Sequence, residues 1–332
     1  MVFNFVRGYV YVTSACNYRC SHCFIRSDKK YIKPEEIDIE LVRQFIDDFG
    51  SNFKSINFTG EGNPILARNI KDIIRLSKMR VDTVSINTRG YINPDLLDYF
   101  KIMGVIVYYS IDWYGERADS EMRYDGLWEQ QINTLKEMLK RKIRVAVRST
   151  IMRDNFGDVL QLIRMVENLR LRGHDIVIEI MPYLPYNNTN NTPTIDQIKL
   201  ITTICLNKDF TRLLTPWWTC IYPYFRDKAS KWWHKHDRIC EAGREYGRIA
   251  IKQDGTILPC PFETRPVGKY IRQYGSYYID KTKVKIELDR YLNETRVDEK
   301  CEKCTFGSIC KGCRVIDSIG EKQICPIPEM WR

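Results

Sequence analysis

From Gly8 to about Ile180 the chain alternates short β-rich runs with longer stretches of helical periodicity. A regular succession of strand, helix and next strand builds a parallel sheet covered by helices, which leaves few other folds open. Strands are read at 9–13, 55–58, 83–87, 105–111, 143–150 and 176–180, and helices at 34–49, 67–79, 94–103, 126–141 and 155–172. Six such units are too few to close an eight-stranded barrel. The expected architecture is therefore an open, partial (β/α)6 TIM-like barrel, α/β in class, with its functional residues at the C-terminal ends of the strands.

Beyond Met181 the pattern breaks into Pro182-Tyr-Leu-Pro185 and a polar Asn- and Thr-rich run ending at Pro193, a loop or hinge signal. A helix is expected over 194–214. The Trp217-Trp-Thr-Cys220 run follows, and then the aromatic, basic Lys231-Trp-Trp-His-Lys-His236. From Arg238 onward regularity is poor and cysteines are dense, which suits a small domain held by metal rather than by an apolar core. Within it, 247–252 and 256–258 flank Gln253-Asp254-Gly255 and predict a β-hairpin. Three parts are expected: a partial barrel over 1–181, a bridging region with one helix over 182–235, and a cysteine-rich domain over 236–332.

Twelve cysteines in a small secreted domain would mean disulfides. Here they are clustered in a chain of 332 residues whose start lacks a basic segment followed by an apolar run, and no 18 consecutive residues are apolar. Metal binding in a reducing, cytoplasmic setting is expected, with no membrane span. The formal charge of +10 suggests nucleic acid at first sight. Ligating thiolates and their clusters would bring it to about +5, so basicity carries little weight. The same tail could hold zinc in a nucleic-acid binding protein that uses its Lys- and Trp-rich surface, the remote alternative.

The segment Cys16-Asn-Tyr-Arg-Cys20-Ser-His-Cys23 directly follows the first strand. Three thiolates bind only three irons of a 4Fe–4S cube and leave the fourth open for a chelating molecule. The amino and carboxylate groups of S-adenosylmethionine (SAM) could fill that position. An electron passed into the sulfonium would then release a 5′-deoxyadenosyl radical, chemistry that resides in the cofactor while the protein supplies position. A zinc loop would normally need a fourth ligand, and none lies nearby.

This C-x3-C-x2-C loop resembles the radical SAM superfamily, and Tyr18 and His22 fit the family's loop. The run Phe58-Thr-Gly60-Glu61-Gly62-Asn63-Pro64 resembles the glycine-rich acidic motif that holds the SAM amino group, where glycine permits close approach of backbone to ligand. Asn63 stands where a Glu before Pro64 is often found, so either Glu61 or the backbone takes that role. Alone, the Gly-x-Gly turn would be an ordinary βα turn. The strand ends Asn87-Thr-Arg89-Gly90 and Ser110-Ile-Asp112 resemble the family's ribose and methionine contacts, and Arg148 is expected to reach the SAM carboxylate or adenine side.

The downstream series Cys240, Gly255, Cys260, Cys301-x2-Cys304-x5-Cys310-x2-Cys313 and Cys325 resembles the SPASM domain, the auxiliary-cluster module of radical SAM maturases. Two residues rather than the usual three separate Cys310 from Cys313. The resemblance implies that Cys301, Cys304, Cys310 and Cys325 bind the distal cluster and that Cys240, Cys260 and Cys313 bind the nearer one. Cys220 or an open, substrate-binding iron would complete the latter. Three [4Fe–4S] clusters and SAM are thus the implied cofactors, with a flavodoxin- or ferredoxin-type electron donor. Cys205, beside Ile201 and Ile204 on the expected helix, reads as a core thiol. His234 and His236 read as solvated or stacking residues rather than ligands.

SPASM enzymes mostly crosslink, oxidise or epimerise ribosomally made peptides, so peptide modification is the first functional expectation. An oxidative decarboxylase or dehydrogenase acting on a small molecule in cofactor biosynthesis is the second. Few residues precede the first strand, so a peptide substrate would need a separate recognition protein or direct capture by the barrel. In the formylglycine-forming members the residue after the cysteine matching Cys260 is an aspartate serving as general base. Here it is Pro261, with no titratable group and no N–H. Glu263 is the nearest acid and the candidate catalytic base.

Overall fold

The computed structural model describes residues 3–23, 34–183, 191–213 and 242–293. They fall into two compact units, one holding residues up to 110, 119–146 and 242–293, the other holding 111–118, 147–183 and 191–213. In the first unit, strands β1 (Arg7–Tyr11), β2 (Ser55–Thr59), β3 (Thr83–Thr88) and β4 (Ile106–Ser110) lie side by side in chain order, each pair parallel. The register pairs Val10 with Phe58, Phe58 with Ile86, and Ile86 with Val107. Because side chains alternate along a strand, this row forms one continuous apolar stripe, and all four residues are fully buried. Each such side chain contributes roughly 1.5–3 kcal/mol relative to exposure. The other face carries Asn57, Thr59, Ser85 and Asn87, joined by Asn57 Nδ2 to Ser85 Oγ (2.8 Å) and Asn87 Nδ2 to Thr59 Oγ1 (3.1 Å).

The expected hairpin forms from β8 (Arg248–Ile251) and β9 (Thr256–Leu258), antiparallel, with Gly255 at φ +84° and the Thr256 amide donating to Asp254 Oδ1 at 3.0 Å. It joins the first unit's sheet directly, because β8 runs parallel to β1 from Arg7 opposite Arg248 to Val10 opposite Ile251. The strand order in this unit is β10-β9-β8-β1-β2-β3-β4, where β10 is Gly268–Lys269. A separate pair, β11 (Ile271–Gln273) and β12 (Ser276–Tyr278), precedes the helix Lys281–Asn293.

Helix α1 (Ile39–Phe49) begins later than periodicity suggests. Asp38 caps it by accepting from the Glu40 amide, while Glu35 and Glu36 are drawn into contacts with the loop after β1. Helix α2 (Ile70–Lys78) also starts late, after a 3-10 turn at Pro64–Leu66. Helix α3 (Pro94–Met103) matches its expected bounds, with Asn93 as N-cap, Pro94 at the first position and Gly104 in the left-handed region behind it. A short helix, α4 (Arg117–Met122), was not foreseen; α5 (Leu127–Lys140) was.

In the second unit β5 (Val145–Ile151), β6 (Ile176–Pro182) and β7 (Thr211–Leu213) are successive neighbours, with α6 (Phe156–Leu171) and α7 (Ile195–Asn207). A capping box of Thr194 and Gln197 starts α7. The helix stops at Asn207 rather than Leu214. Thr211 Oγ1 donates to the carbonyls of Cys205 and Lys208, and Thr211–Leu213 pairs parallel with β6 instead. Cys205 is buried on α7, as expected of a core thiol. Among the described residues no helix is long and apolar enough to cross a membrane.

Candidate cofactor site

The cysteine loop leaves the sheet at the C-terminal end of β1, and hydrogen bonds clamp it at both ends. The Ser14 amide donates to Glu35 O (2.9 Å), the Glu35 amide to Ser14 Oγ (2.8 Å), Thr13 Oγ1 to Glu35 O (2.9 Å), and the Ala15 amide to Thr13 Oγ1 (3.0 Å). Beyond the clamp, Cys16, Cys20 and Cys23 form no disulfide and are partly exposed, and the Cys23 amide donates to Cys20 O at 3.2 Å. The three share one loop. Among the described residues, no three His, Cys, Asp or Glu side chains are already gathered into a metal cage.

The turn after β2 lies flush against this loop. The Asn63 amide donates to Ala15 O at 2.7 Å, and a Cβ on Gly62 would sit 2.1 Å from that same oxygen. Gly60, at φ +150°, holds a conformation that side chains rarely adopt. Asn63 is buried: Thr88 Oγ1 donates to its Oδ1 at 2.7 Å and its Nδ2 donates to Arg89 O at 3.1 Å. Its amide therefore ties the loops after β1, β2 and β3 together. The Glu61 carboxylate turns to the hairpin, pairing with Lys252 Nζ through Oε1 and accepting from Gln253 Nε2 through Oε2 at 3.0 Å.

Tyr18 locks the cysteine loop to the third strand end. Its hydroxyl fills the space above Gly90, where a Cβ would lie 1.6 Å away, and its ring packs on Tyr124 with centroids 5.5 Å apart. Tyr109 donates to Gly90 O at 2.6 Å from below. Burial, reinforced by neighbouring Tyr124, pushes the Tyr18 phenol up to about 12, so it stays a neutral donor at physiological pH. Asn87 faces Asn57 and Thr59, and the Ser110 carbonyl accepts from Gln131 Nε2 at 2.8 Å.

Cys260, buried and in no disulfide, follows β9. The turn behind it is closed by the Glu263 amide on Cys260 O at 3.1 Å, and Tyr11 at the end of β1 donates to Pro261 O. Burial, with Cys260 and Glu61 adding to it, raises the Tyr11 pKa and keeps it protonated as that donor. Glu263 is buried, and its Oε1 accepts from the amides of Thr264 (2.8 Å) and Arg265 (3.1 Å). One oxygen of the candidate base is thus used by its own turn.

Asp112 and Arg148 belong to the second unit. Asp112 is buried and accepts from the Thr150 amide at 2.7 Å, while its carbonyl accepts from Asn155 at 2.9 Å, so it braces the end of β5. Arg148 makes a buried ion pair with Glu179, its Nη2 2.6 Å from Oε2, and Arg212 lies 3.7 Å from the other oxygen. Cys220, Cys240, Cys301, Cys304, Cys310, Cys313 and Cys325, with His234 and His236, lie outside the described residues.

Lys252, Gln253, Thr88 and Tyr109 are site residues that sequence reasoning missed. The first two sit in the turn read only as a hairpin signal, and their partner Glu61 is 192 positions from Gln253.

Residues 10–166 match the family model described as the Radical SAM superfamily. The chain is 23% identical to the tungsten-containing aldehyde ferredoxin oxidoreductase cofactor-modifying protein of Pyrococcus furiosus, over 96% of this chain and 92% of that one. It is 28% identical to the sporulation killing factor maturation protein SkfB of Bacillus subtilis, over 47% of this chain and 38% of that one. Among solved structures, anSMEcpe with bound AdoMet superposes with a TM-score of 0.69 at 14% identity, covering 96% of this chain and 92% of that one. Streptococcus suis SuiB bound to precursor peptide SuiA gives 0.67 at 15% identity, covering 97% and 74%. These likenesses establish the fold: mixed α/β with a parallel sheet, the partial-barrel architecture expected from the six βα repeats.

Proposed function

We propose, from the match of residues 10–166 to the Radical SAM superfamily model, that the chain is a radical SAM enzyme that uses SAM to abstract hydrogen from a C–H bond of a ribosomally made peptide, leading to a crosslink, oxidation or epimerisation. The observation that carries the reading is the junction of two loops. Three cysteines outside any disulfide emerge from a clamped loop whose Ala15 carbonyl is met by the Asn63 amide and the Cβ-less Gly62. The donor set fits the implied cluster, since three soft thiolates, with no fourth ligand gathered beside them among the described residues, suit a cube with one open iron, and metal binding itself can gather ligands that share a loop. When bound, that cluster supplies the electron that cleaves SAM.

The chain's own residues do the rest. Cys16, Cys20 and Cys23 hold the cluster; Tyr18, through Gly90, fixes the loop that bears them. Gly60 and Gly62 let backbone approach the ligand, and Asn63 keeps their turn against the loop. Asn87 and Ser110 stand at neighbouring strand ends of the same unit. By resemblance Asp112 would serve among the ribose and methionine contacts, and Arg148 would reach the SAM carboxylate or adenine side. Cys260, with Cys240 and Cys313 and either Cys220 or an open iron, would hold the nearer auxiliary cluster. Cys301, Cys304, Cys310 and Cys325 would hold the distal one, in a SPASM domain over 236–332. A flavodoxin- or ferredoxin-type protein would deliver the electron, in the cytoplasm.

The peptide reading is supported by the likeness to SuiB and anSMEcpe structures that contain peptides, and by SkfB. One observation favours the second reading, a small-molecule enzyme of cofactor biosynthesis: the relative matched over nearly the whole chain is named a cofactor-modifying protein. Pro261 argues against formylglycine formation, because it offers only a carbonyl, and that carbonyl is taken by Tyr11.

Anaerobic reconstitution tests the proposal. About 12 irons per chain are expected for three cubane clusters. Replacing Cys16, Cys20 and Cys23 together by Ser should leave about two-thirds of the iron and abolish reductive SAM cleavage. A triple variant that still forms 5′-deoxyadenosine would sink the radical SAM assignment. About 4 irons with tightly held zinc would sink the auxiliary clusters. A mass change on a peptide encoded beside this protein, absent without SAM, would separate the two substrate classes.

A further inference from the structure

The hairpin turn Lys252–Gln253 does not merely close β8 onto β9; it reaches the glycine-rich turn after β2 within the same unit. Each Glu61 oxygen is engaged from this turn, Oε1 by Lys252 Nζ and Oε2 by Gln253 Nε2. A carboxylate only accepts hydrogen bonds, so the Gln253 amide must present its NH2 to Glu61 and turn its carbonyl away; a flipped amide would set two acceptors against each other. That carbonyl oxygen, Gln253 Oε1, is buried and has no hydrogen-bond partner among the described residues. A buried acceptor without a donor is costly, and such a group calls for a cause: strain, a functional role, or a partner bound from outside the chain.

The carbonyl oxygen needs an N–H or O–H donor, and an ammonium group is the strongest donor that SAM carries. Lys252 meets the charge of Glu61, so Glu61 orients the amide and need not be the ligand itself. The turn it belongs to offers close backbone approach at Gly60 and Gly62. We propose that Gln253 Oε1 accepts a hydrogen bond from the α-ammonium group of SAM, with Glu61 and Lys252 as positioning residues that hold the amide in that orientation. The assignment rests on the radical SAM reading above. It answers the question left by Asn63, whose side chain is consumed by Thr88 and Arg89: the neutral acceptor comes from the C-terminal hairpin and not from the motif's own sequence.

Two ligands and a small set of variants test it on the anaerobically reconstituted full chain. Gln253→Leu keeps the bulk and removes the acceptor. It should weaken SAM binding about tenfold in equilibrium dialysis, as for loss of one charge-assisted hydrogen bond. Binding of 5′-methylthioadenosine, which keeps adenine and ribose but lacks the ammonium, should change by less than about twofold. Lys252→Met should weaken SAM about threefold to tenfold, Lys252→Arg should restore it, and Lys252→Met should add less than about twofold to Gln253→Leu, because the two act through one contact. Gln253→Leu binding SAM like wild type, or losing both ligands equally, overturns the assignment. Failure of wild type to bind SAM at all would instead overturn the radical SAM reading. The positioning role is read separately in cofactor-free protein: Lys252→Met should speed amide exchange across 58–64, and unchanged exchange there refutes it.

Discussion

Replacing Gly62 by Ala adds one methyl carbon where the obstacle is backbone. The new Cβ would stand 2.1 Å from Ala15 O, 2.7 Å from Ala15 C and 2.7 Å from Ser14 C, none of which can rotate away. Relief requires the turn and the cysteine loop to part, which lengthens the 2.7 Å bond from the Asn63 amide to Ala15 O. Overpacking of this kind costs about 1–3 kcal/mol and the weakened bond about 1 more, so a loss of roughly 2–4 kcal/mol is expected. In a domain of this size that corresponds to a melting temperature lower by about 5–15 °C. The assay is thermal unfolding of cofactor-free, reduced protein, with thiol reactivity of neighbouring Cys16 as a local readout; the variant should react faster. Gly157→Ala is the control, since nothing lies within 4 Å of its Cβ on α6, and it should be neutral or stabilising by up to about 1 kcal/mol. A Gly62→Ala protein that melts within about 2 °C of wild type, with unchanged Cys16 reactivity, would refute the close contact.

Asn63→Leu should lower stability by about 2–4 kcal/mol in denaturant titration, because it strands Thr88 Oγ1 and Arg89 O in a buried setting; Asn63→Asp, which keeps the acceptor for Thr88, should cost less. Burial pushes the Cys205 thiol up to about 12, so the folded state holds its proton more tightly than the unfolded chain does. The stability this contributes is complete below the ordinary thiol value of 9.0 and is lost as pH rises toward 12. Cys205→Ala should therefore flatten the decline of stability above about pH 9, whatever its baseline, and an unchanged slope would contradict the burial.

The parallel βα order was legible because each strand is short, apolar on one face and followed by a helical period; all six strands occur within two residues of where the pattern puts them. What sequence could not give were contacts made across long separations. The engagement of Glu61 by Lys252 and Gln253, and the place of the Tyr18 hydroxyl above Gly90, are of this kind. The end of α7 was misjudged for a local reason: 208–214 is apolar enough to extend a helix, but β6 offers Thr211–Leu213 a parallel edge. Helix α4 was missed because Arg117–Met122 is too short and polar to carry a period.

The pairing of β1 with β8 also sets a timetable for synthesis. β1 leaves the ribosome well before its outer neighbour β8, and Tyr11 must wait for Pro261, 250 positions later. At roughly 5–20 residues per second, the interval is on the order of tens of seconds. Throughout it β1 is an edge strand with unmet amides and carbonyls, the feature that folded sheets take care to cover. The nascent chain thus carries its cysteine loop on an unfinished wall, and the Lys252–Gln253 turn arrives only when that wall closes. Iron delivered before that moment would meet three thiols whose neighbouring turn still lacks its restraint, so cluster insertion is expected to be most productive after the hairpin is made.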